Sequence, residues 1–422
     1  MQKITFTTNV GKNTLEYLKL LLRSLQVNLD YDEHEILVFV DQDNEGILEY
    51  LLQAKDDFKD LTIIKNNAPI PVGYAVNKTI LTKYAKHDII SYLQSDMVIG
   101  PHYDTEILKH IKRGRILSST RVEPPLHGES PVTITKDFGV RPSDFRFDDW
   151  NTFSLSVRDN TLISYFFAPI TYYKQDWLTL GGYDTIFRRS REDSDLVQRC
   201  LHAGIELTQT FSANVYHFTC VSSRGNNWFD KNNREAQERV QLQNVADMIE
   251  LRRFLRKWGN FNHGESKLYK YDIDVLVKNY SVSQIYNIEP FFERIWLENE
   301  NDISVLMDVY NKDYDVSNKL YGCTNEVWES YKTIYRLDDI KSKIKIGVPK
   351  EYSVLVTIDF AKVVSSNTFL NNLQHLYSIL SDAGLGEYEL DNVQVSIKHL
   401  SVVDTPITTI NPEVNNSLLT LY

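Results

Sequence analysis

The run Ile89-Ile90-Ser91-Tyr92-Leu93 reads as a buried strand, yet it ends in Gln94-Ser95-Asp96 and turns at Gly100-Pro101. A carboxylate at the carboxyl end of such a strand can hold a ligand or cap the turn that follows. Glu35-Ile36-Leu37-Val38-Phe39-Val40 repeats the pattern and ends in the acidic loop Asp41-Gln42-Asp43-Asn44-Glu45-Gly46. Arg191-Glu192-Asp193-Ser194-Asp195 opens a helix whose first turn, at the positive end of the helix dipole, favours carboxylates. Asp193 there can act on a ligand or serve as an N-cap beside a solvated Glu192. Two short strands, Glu206 to Phe211 and Asn214 to Phe218, bring in His217, either as a ligand-facing imidazole or as a satisfied core histidine.

The elements around these residues set their positions. Lys3 to Thr7 alternates with strand period, and Asn13 with Glu16 three residues on marks a helix start. Leu15, Leu18, Leu22 and Leu25 give that helix a buried face. Helix Ile47–Ala54, strand Leu61–Ile64, a loop with Pro69, Pro71 and Gly73, and helix Ala75–Tyr84 lead to the strand at Ile89. Strands alternating with helices predict an α/β architecture with a parallel sheet covered on both faces. Ligands collect beyond the carboxyl ends of such strands, the edge where Asp41 and Asp96 fall. Phe166 to Tyr173 reads as a further strand, Leu180-Gly181-Gly182-Tyr183-Asp184 as a turn, and Ala203-Gly204 as the stop of the helix that carries Asp193.

Past Gly259 the pattern changes. Helices are expected over Val282–Leu297, Ile303–Tyr310, Val327–Tyr335 and Phe369–Leu380, with strands over Tyr352–Phe360 and Val393–Leu400. Residues 1–258 and 259–422 are thus expected to form two domains joined through Gly259-Asn260-Phe261-Asn262-His263-Gly264, the second an α+β unit whose role the sequence does not reveal. The net charge, 46 cationic against 57 acidic residues or −11, disfavours nucleic acid as a partner. The three cysteines Cys200, Cys220 and Cys323 have no CxxC spacing and read as reduced thiols, neither a disulfide framework nor a zinc site. No apolar run approaches the ~18 residues that span a bilayer, and the first residues read as a strand instead of a leader. A cytoplasmic location without a transmembrane segment is expected.

Taken in order, these pieces resemble the Rossmann-like nucleotide-sugar-binding fold of the GT-A glycosyltransferases, nearest the inverting family-2 type, over roughly residues 1–259. Asp41 stands where that family reads the nucleoside base, and Gly73 and Asn77 stand in the loop and helix start flanking the nucleotide. Gln94-Ser95-Asp96 resembles the family's DxD element with glutamine in place of its first aspartate. Leu180 to Asp184 is similar to its Gly-Gly-aromatic-Asp stretch, Arg191-Glu192-Asp193 to its ED motif, and Val215-Tyr216-His217 to the segment that adds a histidine to the metal shell.

The resemblance implies transfer of a sugar, UDP-linked in the first instance, from a nucleoside diphosphate to a glycan or other hydroxyl acceptor with inversion. It makes Asp193, with Glu192, the catalytic pair and Asp96 and His217 the ligands of Mn²⁺ or Mg²⁺, which would stabilise the charge growing on the departing diphosphate. A nitrogen ligand tilts that choice toward Mn²⁺. Gln94 supplies no charge but can hydrogen-bond the ribose. Arg224 and Trp228, in Ser222-Ser223-Arg224-Gly225-Asn226-Asn227-Trp228, are candidates for a lid over the diphosphate, and Arg188, Arg189 and Arg191 for a cationic patch holding an anionic group or simply a solvated loop. Two alternatives stay open: a non-catalytic nucleotide-sugar-binding or scaffold protein, in which the missing DxD aspartate marks lost catalysis, and a sugar nucleotidyltransferase. The latter needs a glycine-rich phosphate loop after the first strand, where Asn9-Val10-Gly11-Lys12 offers one glycine.

Overall fold

The computed structural model describes the chain except residues 1, 44–45, 69–71, 188–189, 220–229, 261–265, 299–302, 311–336, 364–372, 374–375, 377–378, 381, 391 and 410–417. Its first unit comprises residues 1–244 and 407–422, and its second residues 245–406.

In the first unit β1 (Ile4–Val10), α1 (Leu15–Asn28), β2 (Glu35–Val40), α2 (Ile47–Ala54), β3 (Leu61–Asn66), α3 (Tyr74–Tyr84), β4 (Ile89–Tyr92) and β5 (Met97–Ile99) follow one another. Strands β3, β2, β1 and β4 are parallel neighbours, with Val10 level with Val40 and Thr7 with Tyr92, so their carboxyl ends share one edge. The strands are buried along almost their whole length, as expected of a parallel sheet covered on both faces. One core joins Ile4, Phe6 and Val10 to Ile36, Val38 and Val40 and to Leu18, Leu21, Leu22 and Leu25 of α1. The N-cap of α1 is Thr14, whose hydroxyl bonds Gly11 O at 2.7 Å; the expected cap, Asn13, takes a left-handed turn residue's place at φ 62°.

The chain continues through α4 (Tyr103–His110), β6 (Arg115–Glu123), β7 (Thr133–Thr135), α5 (Phe147–Ser156), β8 (Leu162–Ile163), β9 (Ile170–Tyr173), α6 (Lys174–Thr179), α7 (Glu192–Ala203) and β10 (Glu206–His217). The sheet runs β3-β2-β1-β4-β9-β6-β10-β5, with β7 beside β6 and β8 beside β10. Instead of two short strands, β10 is one strand with a register shift between Thr210 and Asn214. An aromatic cluster of Phe138, Phe147, Trp150, Tyr216 and Phe218 supports the end of β10; such pairs add about 0.5–1.5 kcal/mol each beyond their buried area.

Helix α8 (Arg234–Trp258) crosses the division between the units, which lies earlier than the break expected at Gly259. The second unit holds β11 (Ile273–Lys278), α9 (Val282–Ile288), β12 (Arg294–Leu297), α10 (Leu337–Lys343), β13 (Ile344–Ile346), β14 (Val354–Asp359), β15 (Gly386–Leu390) and β16 (Val393–Ile397). Its sheet runs β13-β12-β11-β14-β16-β15, parallel as far as β14 and antiparallel beyond. The helix expected over Val282–Leu297 stops at Ile288: Pro290 lies in the turn that follows, and Arg294–Leu297 then enters the sheet as β12. Of the helix expected over Phe369–Leu380, Leu373, Leu376, Ile379 and Leu380 are described and helical, while Val327–Tyr335 lies outside the described residues. β17 (Leu419–Leu421) belongs to the first unit because it pairs antiparallel with β3, so the second expected domain does not extend to residue 422. Among the described residues no helix is long and apolar enough to cross a membrane.

Candidate functional site

The carboxyl edge of β1, β2 and β4 carries the first group of expected residues. Asp41 directly follows β2, and its amide bonds Val10 O at 2.9 Å. Its Oδ1 accepts from Asn66 Nδ2 and the Val72 amide, both at 2.9 Å, and its Oδ2 accepts from Asn77 Nδ2 at 3.1 Å. Burial pushes this carboxyl above the usual range against the pull of these donors and of the Gly73 amide. Asp41 therefore ties the end of β2, Asn66 of β3, the loop at Val72 and the start of α3 into one frame. Gly73 caps α3 at φ 88°, in the left-handed region that favours glycine.

The strand β4 continues into the turn Gln94-Ser95-Asp96, closed by the Met97 amide on Gln94 O. Ser95 and Asp96 are buried. Two acceptors on this edge, Asn77 Oδ1 and Gln94 Oε1, are sealed from solvent with no hydrogen-bond partner among the described residues. A buried unpaired acceptor costs about 1–3 kcal/mol, so both atoms have a use for a donor brought by a ligand.

Antiparallel pairing of β5 with β10 sets His217 beside Met97, and the Phe218 amide bonds Asp96 O at 3.0 Å. His217 Nε2 consequently faces Asp96 Oδ1 at 3.7 Å. The other ring nitrogen, Nδ1, lies 2.8 Å from Glu123 Oε1 at the end of β6. Burial raises the Glu123 carboxyl, but the His217 hydrogen bond and Arg121, 3.3 Å away, outweigh it and hold the group below its usual range. The ring of His217 is thus held between two carboxylates, Nδ1 toward Glu123 and Nε2 toward Asp96. Tyr17, beneath this edge, is pushed up to about 12 by burial and by the Asp96 charge.

Helix α7 carries the third group. Arg191, at φ 69°, stands at its N-cap without a side-chain cap bond, so Asp193 is the second helical residue and not the cap. The fully buried pair Asp195–Arg199, 2.8 Å apart, anchors the helix to the Gly-Gly turn: Arg199 donates to Leu180 O at 2.8 Å and to Gly182 O at 2.6 Å. That turn delivers Tyr183, whose hydroxyl donates to Asp193 Oδ1 at 2.5 Å. Burial and the adjacent Asp193 charge raise Tyr183 well above its ordinary value, which keeps it a proton donor. Glu192 is buried at the first position of α7. Lys78, next to Asn77 on α3, comes within 3.8 Å of Asp193 Oδ1 and lies over the rings of Tyr183 and Tyr92, the last residue of β4.

The expected residues thus fall into three contacting sets: Asp41 with Gly73 and Asn77, Asp96 with His217, and Asp193 with Tyr183. Lys78 connects the first set to the third and touches β4 just before Gln94. Arg224, Trp228, Arg188 and Arg189 lie outside the described residues, as do Cys220 and Cys323. Cys200 is buried and its thiol is pushed up to about 12, which fits a reduced, unreactive core group. Glu123 and Lys78 are absent from the residues picked out in the sequence. Glu123 closes a strand, Arg115–Glu123, that is mostly polar and so gives no strand-end signal like that of Asp96, and a lone lysine on a helix reads as solvated.

The carboxyl edge of the parallel strands thus carries a strand-end acidic turn and a histidine facing it, and α7 carries a carboxylate in its first turn. Residues 4–176 match the glycosyl transferase family 2 description. No curated protein matches the chain. Among solved structures it is similar to GalNAc-T7 with UDP, GalNAc and Mn²⁺ (11% identity, 51% of this chain and 43% of that one, TM-score 0.38). It is also similar to the mannosyltransferase PcManGT from Pyrobaculum calidifontis with GDP-Man and Mn²⁺ (12%, 59% and 64%, TM-score 0.38). A third is S. aureus TarS 1–349 (13%, 79% and 93%, TM-score 0.39). The chain spans less than half the length of GalNAc-T7 and just under two thirds of PcManGT.

Proposed function

We propose that the chain transfers a sugar from a nucleoside diphosphate, UDP in the first instance, to a hydroxyl acceptor with inversion at the anomeric carbon. The observation that carries this reading is the Glu123–His217–Asp96 arrangement at the sheet edge. A metal-bound histidine typically gives its second ring N–H to a carboxylate, which fixes the tautomer. Two ligand bonds of ~2.1 Å reach across about 4.2 Å, so one Mn²⁺ or Mg²⁺ can touch both Asp96 and His217. The remaining ligands of such an ion would be diphosphate oxygens and water. The bound ion would supply charge stabilisation to the departing diphosphate.

The chain's own groups do the rest. Asp41 holds Asn77 and the loop at Val72 as a frame for the nucleoside, and the unpaired Asn77 Oδ1 and Gln94 Oε1 offer acceptors to its hydroxyl or amide protons. Asp193 takes the acceptor's hydroxyl proton as the new bond to the anomeric carbon forms, while the bond from that carbon to the phosphate oxygen breaks and its electron pair leaves with the diphosphate.

Thermal denaturation with UDP, GDP and Mn²⁺ tests the donor. UDP with Mn²⁺ at 100 times the dissociation constant adds about 2.7 kcal/mol and raises Tm, and Asp96→Ala removes the metal-dependent part. No shift with any nucleoside diphosphate would overturn the reading.

A further inference from the structure

We propose that Lys78 is a positioning residue for Asp193, holding one carboxylate oxygen so that the other is presented to the acceptor. The inference rests on the reading of Asp193 as the base. Lys78 is 4% exposed, and its Nζ lies 3.8 Å from Asp193 Oδ1, 3.9 Å from the centre of the Tyr183 ring and 4.9 Å from that of Tyr92. The hydroxyl of Tyr183 meets the same oxygen, Oδ1, at 2.5 Å. Asp193 Oδ2 has no hydrogen-bond partner among the described residues, and the side chain remains 26% exposed. One oxygen is thus fixed from two sides and the other is open.

Burying an ammonium is costly unless a counter-charge and ring faces compensate it, and a methionine filling the same slot would carry no such cost. The charge therefore has a use beyond filling space. Tyr92 is itself fixed, its hydroxyl donating to Asn9 Oδ1 at 2.6 Å, so the slot is a rigid one. Lys78 also sits one residue from Asn77, which Asp41 grips. Through this link, the element that frames the nucleoside sets the position of the carboxylate that activates the acceptor.

The test uses the full chain, Mn²⁺ and the nucleoside diphosphate sugar that gives the fastest metal-dependent release in a panel of UDP- and GDP-sugars. Lys78→Met is expected to lower kcat at least tenfold, with the donor KM and the calorimetric UDP affinity changed less than threefold, and Lys78→Arg to restore most of kcat. An unchanged kcat, or a parallel loss of UDP affinity, would overturn the proposal, the second because Lys78 would then hold the diphosphate. Lys78→Gln is run beside the methionine variant, and failure of both to fold would likewise overturn it by making the role structural. Release by the wild type that survives Asp193→Asn would refute the base assignment itself, and no release from any donor would refute the transferase reading.

Discussion

Glu123 Oε1 lies 2.8 Å from His217 Nδ1, and that contact decides which nitrogen of the ring is left facing Asp96. Replacing Glu123 by alanine frees the ring to turn and to change tautomer. The Mn²⁺ concentration for half-maximal release of nucleoside diphosphate should rise 10–100-fold. An unchanged metal requirement would show that His217 does not serve the ion.

Asp41→Ala should destabilise the first unit by about 2–4 kcal/mol, because it strands the amides of Asn66 and Asn77 and the Val72 N–H in a buried site. Urea denaturation should show a lower midpoint at constant slope, accompanied by weaker nucleotide binding as the start of α3 loosens. Loss of binding without loss of stability would mean that Asp41 contacts the nucleoside and frames nothing.

At Gly181, φ is +75° and a Cβ would collide with the backbone carbonyl of Thr409, whose amide bonds Leu180 O at 3.1 Å. Gly181→Ala should lower stability by about 1–3 kcal/mol from backbone strain plus displacement of that segment, and should lower kcat because the same turn delivers Tyr183. Gly114→Ala is the control: φ is +74° there and nothing lies within 4 Å of the added carbon, so strain acts alone. Equal losses at both positions would show that the Thr409 contact adds nothing.

In the second unit Glu289 is fully buried against Arg252, Arg256 and Lys343. Burial raises its carboxyl, but the three cations together drive it well below the ordinary glutamate value. Its stabilisation is therefore complete above the unfolded glutamate pKa of about 4.3 and is lost as the pH falls from there through the depressed folded value. Glu289→Gln should cost about 3–5 kcal/mol at pH 7, since it leaves buried cations uncompensated, and should flatten the acid limb of stability against pH. A variant with wild-type stability at pH 7 would contradict this.

The carboxyl edge of the sheet was legible because parallel strands are apolar along their whole length and end abruptly in Asp41 and Gln94-Ser95-Asp96. The helix start at Asp193 was legible for a similar reason, acidic residues massed in one first turn. Helix and strand at Val282–Leu297 are not distinguished by pattern, since Ile285, Ile288, Phe292 and Ile295 satisfy a helical spacing and only Pro290 marks the break. Lys78 and Glu123 went unnoticed because their roles come from partners 115 and 94 positions away, a separation that local patterning does not report. The pairing of Leu419–Leu421 with β3 is hidden for the same reason.

The measurement that bears most directly on whether Asp96, His217 and Asp193 serve one ligand is a crystal structure of the protein with UDP and Mn²⁺, the ion located by its anomalous signal. The account predicts an ion bonded to Asp96 and His217 Nε2 and to diphosphate oxygens, with Asn77 and Gln94 against the nucleoside and Asp193 opening onto the same space. An ion held by other residues, or a nucleotide bound out of reach of Asp193, would contradict it.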